Sequence, residues 1–174
     1  MGTFKLEPGD VLLFESGKGF WGFLDKLFIK FRHVAMFYGY TDQGLPLLVE
    51  STKRGVVIRT IFAYEEPITV MRPQLMTLSK VTEAALKIAE NPHSFYDYLC
   101  LVLFAVPRVV LARLGIRSPL KYKRNLWYIC SEFVAEAYWQ AGIEIIPQDQ
   151  VPLPDDFLTS PILEFVGVYY GKAG

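Results

Sequence analysis

Short apolar runs between turn residues dominate the first half of the chain. The turn sequence Glu-Pro-Gly-Asp at 7–10 precedes an apolar run at 11–14 that is too short for a helix, which predicts a buried strand. Residues 34–38 are apolar on both alternating faces, as in a strand covered from both sides, and a turn is predicted over 39–44. Further strands are predicted at 45–50, 56–60 and 68–71. This half is therefore expected to form a sheet.

The second half changes to helical spacing, which appears only once earlier, in an amphipathic segment at 20–31. A helix is predicted over 77–90, and it ends before Pro92 because proline disfavours helical geometry in the preceding residue. Another helix, opened by a capping pair, is predicted from 94 toward 114. The chain thus passes from strands to helices.

The last predicted helix covers 129–142 and stops at a glycine. Its apolar stripe comprises Cys130, Phe133, Val134, Ala137 and Ala141. After two prolines that mark an irregular segment, 166–170 is expected to return as a closing strand. No repeat or linker divides the chain, so we expect one α+β domain over 1–174.

Composition and charge narrow the classes of partner. Hydrophobic residues make up 52% of the 174 residues and charged residues 21%, so the chain should fold without a partner. Eighteen basic and eighteen acidic residues cancel, so no global field would draw the protein onto a nucleic-acid backbone. The two cysteines lack the dense spacing of a disulfide-stapled domain, and no secretory signal is visible, so the expected location is cytoplasmic.

Cys130 and His33 are candidates for nucleophilic chemistry. A thiol attacks as its thiolate, and the first turn of a helix favours that anion. His33 opens a predicted strand, whose neighbours would fix its imidazole for proton transfer near neutral pH. Both residues have an ordinary alternative interpretation, because free cysteines are often buried in cores and lone histidines are often merely packed or exposed.

The same pattern presents two carboxylates, Glu50 and Asp10, and a set of possible metal ligands. Glu50 ends a strand predicted to be the antiparallel neighbour of the His33 strand, so it would orient the imidazole; the alternative is a solvated strand-end charge. Asp10 follows a Pro-Gly turn and is expected to accept local backbone N–H groups rather than act as an acid. No metal site or cofactor is expected, because the available ligands His33, His93, Cys100 and Cys130 include no close pair.

Four fragments of the chain together resemble a known superfamily. They are 8–14 (PGDVLLF), 33–39 (HVAMFYG), 49–51 (VES) and 128–134 (YICSEFV), and they fall in order on three predicted strands and a helix. This order resembles the permuted NlpC-type cysteine peptidase superfamily, especially its YiiX-like branch. The resemblance spans nearly the whole chain.

The resemblance implies a circularly permuted papain-like fold and cysteine chemistry. A small antiparallel β-barrel or sheet would pack against helices, with the cysteine helix near the C-terminus. Cys130 would be the nucleophile, His33 its base and Glu50 the group that holds the imidazole tautomer. The backbone N–H of Cys130 and the residue Tyr128 are candidate oxyanion donors. Arg32 stands where relatives often carry a small hydroxyl residue, so a bulky charge would line the substrate entrance.

The resemblance leaves the substrate open among three alternatives. The first is an amidase or peptidase acting on small peptides through a thioester acyl-enzyme. The second is a lipid acyltransferase or thiol esterase, as in the related lecithin:retinol acyltransferase group. The third is a non-catalytic module that binds lipid or peptide in a hydrophobic groove.

One segment, 98–124, is locally basic although the whole chain is neutral. It contains six arginine and lysine residues and no acidic residue. Its uncharged run is too short to cross a bilayer, so a transmembrane anchor is rejected. A core helix followed by a solvated basic loop is the favoured interpretation, and peripheral contact with an anionic membrane is the alternative.

Overall fold

The structure is a computed structural model that describes residues 4–15, 30–74, 78–91, 110–111 and 128–170. The strands within these ranges are β1 (Val11–Glu15), β2 (Phe31–Tyr40), β3 (Pro46–Thr52), β4 (Gly55–Thr60), β5 (Ile68–Pro73) and β6 (Leu163–Tyr169). The helices are α1 (Leu78–Glu90) and α2 (Cys130–Gln140), and two 3₁₀ helices cover Ile61–Ala63 and Pro154–Leu158.

The six strands form a single sheet in the order β4-β3-β2-β1-β5-β6. Every neighbouring pair is antiparallel. Within the described residues the sheet ends at β4 and β6 and stays open, so the sheet rather than the barrel of the prediction is observed. The predicted α+β class is confirmed.

Alternating residues of the central strands build two apolar clusters. Val11, Leu13 and the residues at 34 and 36 join α1 and α2 in the larger cluster. Leu12, Phe14 and the residues at 35 and 37 belong to the smaller one. Because successive side chains of a strand point to opposite faces, a continuous apolar run supplies both clusters. The predicted double coverage of the strand at 34–38 is therefore confirmed.

Helix α2 is buried on all sides, whereas the sequence predicts a single apolar stripe. Every residue from Cys130 to Trp139 is buried. Its polar side chains bond to protein rather than to solvent: Ser131 Oγ donates to the carbonyl of Pro152 at 2.7 Å, and Trp139 Nε1 donates to the carbonyl of Ile146 at 2.9 Å. Since a buried polar group without a partner costs about 1–3 kcal/mol, these bonds allow α2 to lie inside the core.

Most predicted boundaries agree with the structure to within a few residues. The strands expected at 45–50, 56–60, 68–71 and 166–170 correspond to β3, β4, β5 and β6. The helix expected over 77–90 is α1, which the structure describes from Leu78. The turn predicted over 39–44 begins later, because Gly39 and Tyr40 still belong to β2.

One boundary is wrong, at the end of the helix predicted over 20–31. Most of that segment lies outside the described residues, but Phe31 is the first residue of β2 and not the last of a helix. The carboxylate of Asp155 accepts the backbone N–H groups of Lys30 and Phe31, both at 2.8 Å. These bonds cross more than a hundred residues of chain, so local spacing does not reveal them.

The predicted helix from 94 toward 114 lies outside the described residues, except for the helical pair at 110–111. The basic segment 98–124 is outside them to the same extent. In the part of the chain that the structure describes, no helix has both the length and the apolar character needed to cross a membrane.

Candidate active site

The first turn of α2 carries the candidate nucleophile. Ile129 is the extended N-cap residue, and its N–H donates to the side chain of Glu132 at 2.8 Å, which fixes the start of the helix. Cys130 is the first helical residue, as predicted, and it is a free cysteine with 7% of its surface exposed. Its thiol therefore lies at the end of the helix where backbone N–H groups and the dipole favour an anion.

The register of β2 and β3 brings His33 to Glu50. Met36 lies opposite Val49, so one further step along the antiparallel pair places Glu50 beside residue 35 and diagonal to His33 on the same face. His33 Nε2 donates to Glu50 Oε2. The Glu50 side chain is fully buried, and 18% of the His33 side chain is exposed. Glu50 is thus not the solvated charge of the alternative interpretation.

The opposite side of the imidazole faces the thiol. Cys130 and His33 interact electrostatically, and because Nε2 faces Glu50, Nδ1 is the ring nitrogen left on the side of the sulfur. The backbone N–H groups of Val34 and Ser131 also act on the charge of Cys130. The structure therefore joins the three predicted side chains in one line, from the thiol through the imidazole to the carboxylate.

These contacts lower the pKa of Cys130 and raise that of His33. Burial alone would raise the pKa of the Cys130 thiol, but the charge and hydrogen bond of His33, with the two backbone N–H groups, lower it below its usual value. Burial alone would lower the pKa of His33, but the charges and hydrogen bonds of Cys130 and Glu50 raise it to about 9. The arrangement favours a thiolate and imidazolium pair at neutral pH.

Two residues that the sequence did not single out contact the carboxylate. Tyr64 donates its hydroxyl to Glu50 Oε2, and Arg59 Nε lies 2.7 Å from Oε1. Among the described residues Oε1 receives no well-directed hydrogen bond, so the guanidinium acts on it as a charge. Burial would raise the pKa of Glu50, but His33, Tyr64 and Arg59 together lower it. Burial and the bond to Glu50 raise the pKa of Tyr64 well above its usual range.

One of these two residues could have been found from the sequence. Glu50 lies opposite Val57, and Arg59 stands two residues further on the same face. The predicted hairpin around 53–55 contains this register, so Arg59 follows from counting residues. Tyr64 follows a 3₁₀ helix that no pattern predicts, and its position depends on the tertiary structure.

A hydrogen bond from Ser51 ties the carboxylate strand to the cysteine helix. Ser51 Oγ donates to the carbonyl of Tyr128 at 2.7 Å, across 77 positions of sequence. Tyr128 itself is 4% exposed and belongs to the larger apolar cluster. Its predicted role as an oxyanion donor stays a prediction, as does that of the Cys130 N–H.

An open pocket of about 260 Å³ adjoins the carboxylate side of the imidazole. Its described lining comprises Arg32, His33, Glu50, Ser51, Thr52, Lys53 and Tyr64. Arg32 forms an ion pair with Glu66 at this pocket. Cys130 is not among the described lining residues, so the pocket does not itself show the path to the sulfur. The predicted place of Arg32 at a substrate entrance stays a prediction.

The comparisons with known proteins give a fold. No protein-family model matches the sequence, and no curated protein matches it. The structure is similar to the crystal structure of metalloprotein yiiX from Escherichia coli O157:H7, DUF1105, with a TM-score of 0.57 and 14% sequence identity. The match covers 96% of this chain and 99% of that chain. This chain therefore has a YiiX-like fold, consistent with the branch that its sequence resembles.

The name of that neighbour, a metalloprotein, raises the question of whether these residues fit a metal ion. Among the described residues no group of three or more His, Cys, Asp or Glu side chains is arranged to hold one. Glu50, the carboxylate that contacts His33, already accepts hydrogen bonds from His33 and Tyr64. A metal ion on its other oxygen would be repelled by the cationic Arg59. The site as described does not fit a metal.

Proposed function

We propose that the protein is a cysteine-dependent hydrolase of the amidase or peptidase kind. The observation that carries the proposal is the buried line of Cys130, His33 and Glu50 at the start of α2. Shifted pKa values of this kind concentrate at functional sites, and reactive cysteines occur at helix N-termini beside cationic side chains.

Each step follows from the charges of this pair. The Cys130 thiolate attacks the carbonyl carbon of an amide, and a new carbon–sulfur bond forms. The His33 imidazolium gives its proton to the leaving amine as the carbon–nitrogen bond breaks, which leaves a thioester and a neutral imidazole. The imidazole then takes a proton from water, the resulting hydroxide attacks the thioester, and the carbon–sulfur bond breaks. The acid departs, and the thiolate and imidazolium are restored.

The finer description of the fold belongs to the same proposal. Histidine and its carboxylate precede the cysteine in the chain, at residues 33, 50 and 130. In a papain-like enzyme the cysteine helix comes first, so the order here supports a circularly permuted papain-like fold of the NlpC type. The antiparallel sheet with α2 packed against β2 and β3 is compatible with that topology.

The substrate proposed first is a small peptide or amide. The pocket beside His33 is small, and it has the charged residues Arg32 and Lys53 in its lining, which suits a short ligand with polar groups better than a long acyl chain. In the acyltransferase alternative the substrate is a lipid ester. In the binding-module alternative a lipid or peptide is bound without turnover.

Labelling with a panel of peptide and lipid-ester electrophiles tests the proposal, with Cys130→Ser as the matched control. We expect covalent labelling of Cys130 by peptide electrophiles and none in the control. Preferential labelling by lipid esters would transfer the proposal to the acyltransferase class. Absence of labelling at Cys130 by every member, in folded protein, would leave the binding module.

A further inference from the structure

The surroundings of Glu50 are asymmetric in a way that the three-residue line does not explain. One oxygen serves both His33 and Tyr64, while the other faces Arg59 at 2.7 Å. A buried carboxylate stays ionised only where hydrogen bonds and a cation offset the cost of removing it from water. His33 is the largest contributor to this compensation, and Tyr64 and Arg59 add to it.

Tyr64 is held in place by contacts of its own, whereas Arg59 reaches the carboxylate from the edge of the sheet. The Tyr64 ring lies 4.2 Å from that of Phe14 between ring centroids, and its backbone N–H donates to the carbonyl of Ile61 at 3.1 Å. Arg59 projects from β4, the edge strand of the sheet, with 42% of its side chain exposed. Although water is available to Arg59, its guanidinium turns toward the buried carboxylate.

Resting on the proposed hydrolase, we infer that Arg59 and Tyr64 are positioning residues, which keep Glu50 ionised and aimed at His33 and thereby hold Cys130 as the thiolate. They act from two sides of the carboxylate, by charge on one oxygen and by a hydrogen bond on the other. Among the described residues, three other charged groups lie near these side chains. Arg32 and Lys53 line the adjoining pocket, and the charge of Glu66 acts on Tyr64.

The consequence is a particular change in pH dependence. Without either residue, Glu50 would take up a proton at a higher pH, so the acid limit of thiolate formation would move toward neutral. The alkaline limit, set by the His33 pKa of about 9, would not move down, because Glu50 is ionised at that pH in the variants as well. The active range would therefore narrow at its acid end. A merely structural role would lower activity without narrowing that range.

Alkylation of Cys130 by iodoacetamide, followed by peptide mapping across pH, measures this acid limit without any known substrate. We expect Tyr64→Phe and Arg59→Met each to raise the acid limit by about one pH unit, which is about a tenfold loss of labelling rate there. Arg59→Lys keeps the cation and should restore most of the rate. The matched controls, Tyr40→Phe and Arg54→Met, change exposed residues without a described contact to Glu50 and should leave the profile unchanged.

Circular dichroism and thermal unfolding identify which variants fold. Tyr64→Phe retains the ring that packs on Phe14, and the two substitutions act on different oxygens, so one folded variant is enough to test the positioning role. Folded variants with the wild-type profile would overturn that role. A wild-type Cys130 that titrates like an ordinary thiol would overturn the proposed hydrolase itself, which is a separate result.

Discussion

Two buried carboxylates lie at the two ends of β1, and each has an arginine 2.7 Å away. Asp10 precedes the strand, and Glu50 lies near its other end, beside the His33 that pairs with Phe14. At Asp10 the guanidinium of Arg72 binds both oxygens, at 2.7 and 2.8 Å. At Glu50 the guanidinium faces only one oxygen, and a histidine and a tyrosine share the other.

This difference distinguishes an ion pair that stabilises the fold from one that adjoins the candidate catalytic residues. Around Asp10 the partners are Arg72 and the backbone N–H of Glu7, which donates at 2.8 Å as predicted for a turn aspartate. Neither partner changes its charge near neutral pH. Glu50 instead contacts an imidazole that reaches a thiol, so a proton can move along the line. A carboxylate paired with an arginine therefore stabilises the fold at one end of β1 and supports the reactive residues at the other.

The largest expected effect lies at the reactive end. Cys130→Ser and His33→Ala should each lower kcat/KM by about a thousandfold or more, and Glu50→Gln should leave more activity, because the carboxylate orients and supports the base without itself forming or breaking a bond to the substrate. Kinetics on the best substrate of the electrophile panel measure this. Asp10→Asn is the control, since its folded fraction should keep wild-type kinetics. Equal damage from Glu50→Gln would contradict this ranking of the three residues.

At the structural end the expected loss is in stability. Arg72→Met leaves the fully buried Asp10 charge unpaired and should destabilise the fold by about 3–5 kcal/mol. Urea unfolding measures the change, and Arg54→Met, at the exposed β3–β4 turn, should change the free energy of unfolding by less than about 0.5 kcal/mol. An Arg72→Met protein that alkylates at Cys130 with an altered pH profile would contradict the separation of the two ends.

The pH dependence of the wild-type thiol gives a smaller effect. The Cys130 pKa is lowered and the His33 pKa is about 9, so the thiolate and imidazolium pair should persist from mildly acidic pH up to about 9 and be lost above it. At about pH 6 an ordinary thiol is almost fully protonated, so Cys130 should react at least about tenfold faster than Cys100. Iodoacetamide mapping decides this, and faster modification of Cys100 would refute it.

The smallest expected effect concerns the basic segment 98–124, for which peripheral contact with anionic membrane is the alternative to the favoured core helix and solvated loop. If the alternative holds, co-sedimentation with anionic and neutral liposomes should show a preference of a few fold for the anionic ones, and that preference should fall with added salt. Neutral liposomes are the control. Equal binding to both kinds at every salt concentration would return the segment to the interpretation of core helix and solvated loop.

The sequence predicted much of the architecture because the signals are local. Alternating and continuous apolar runs located β1 to β6, and the Asn91-Pro92 stop located the end of α1. The start of α2 close to Cys130 was also visible, so the position of the thiol in a first helical turn followed from the chain alone. The antiparallel pairing of β2 with β3 followed from the short turn between them, and with it the approach of Glu50 to His33.

What only the tertiary structure decided are contacts between distant parts of the chain. Asp155 accepts a hydrogen bond from the backbone N–H of Phe31, the first residue of β2, across 124 positions of sequence. Ser51 donates to the carbonyl of Tyr128 across 77 positions. Periodicity reports one element at a time, so it predicted a single apolar stripe where the folded chain buries α2 on every side. The sequence by itself thus determined which residue types carry the chemistry and on which elements they stand. The tertiary structure determined the burial and partners of Glu50, and these decide its charge, because desolvation and ion pairing depend on everything packed around a group.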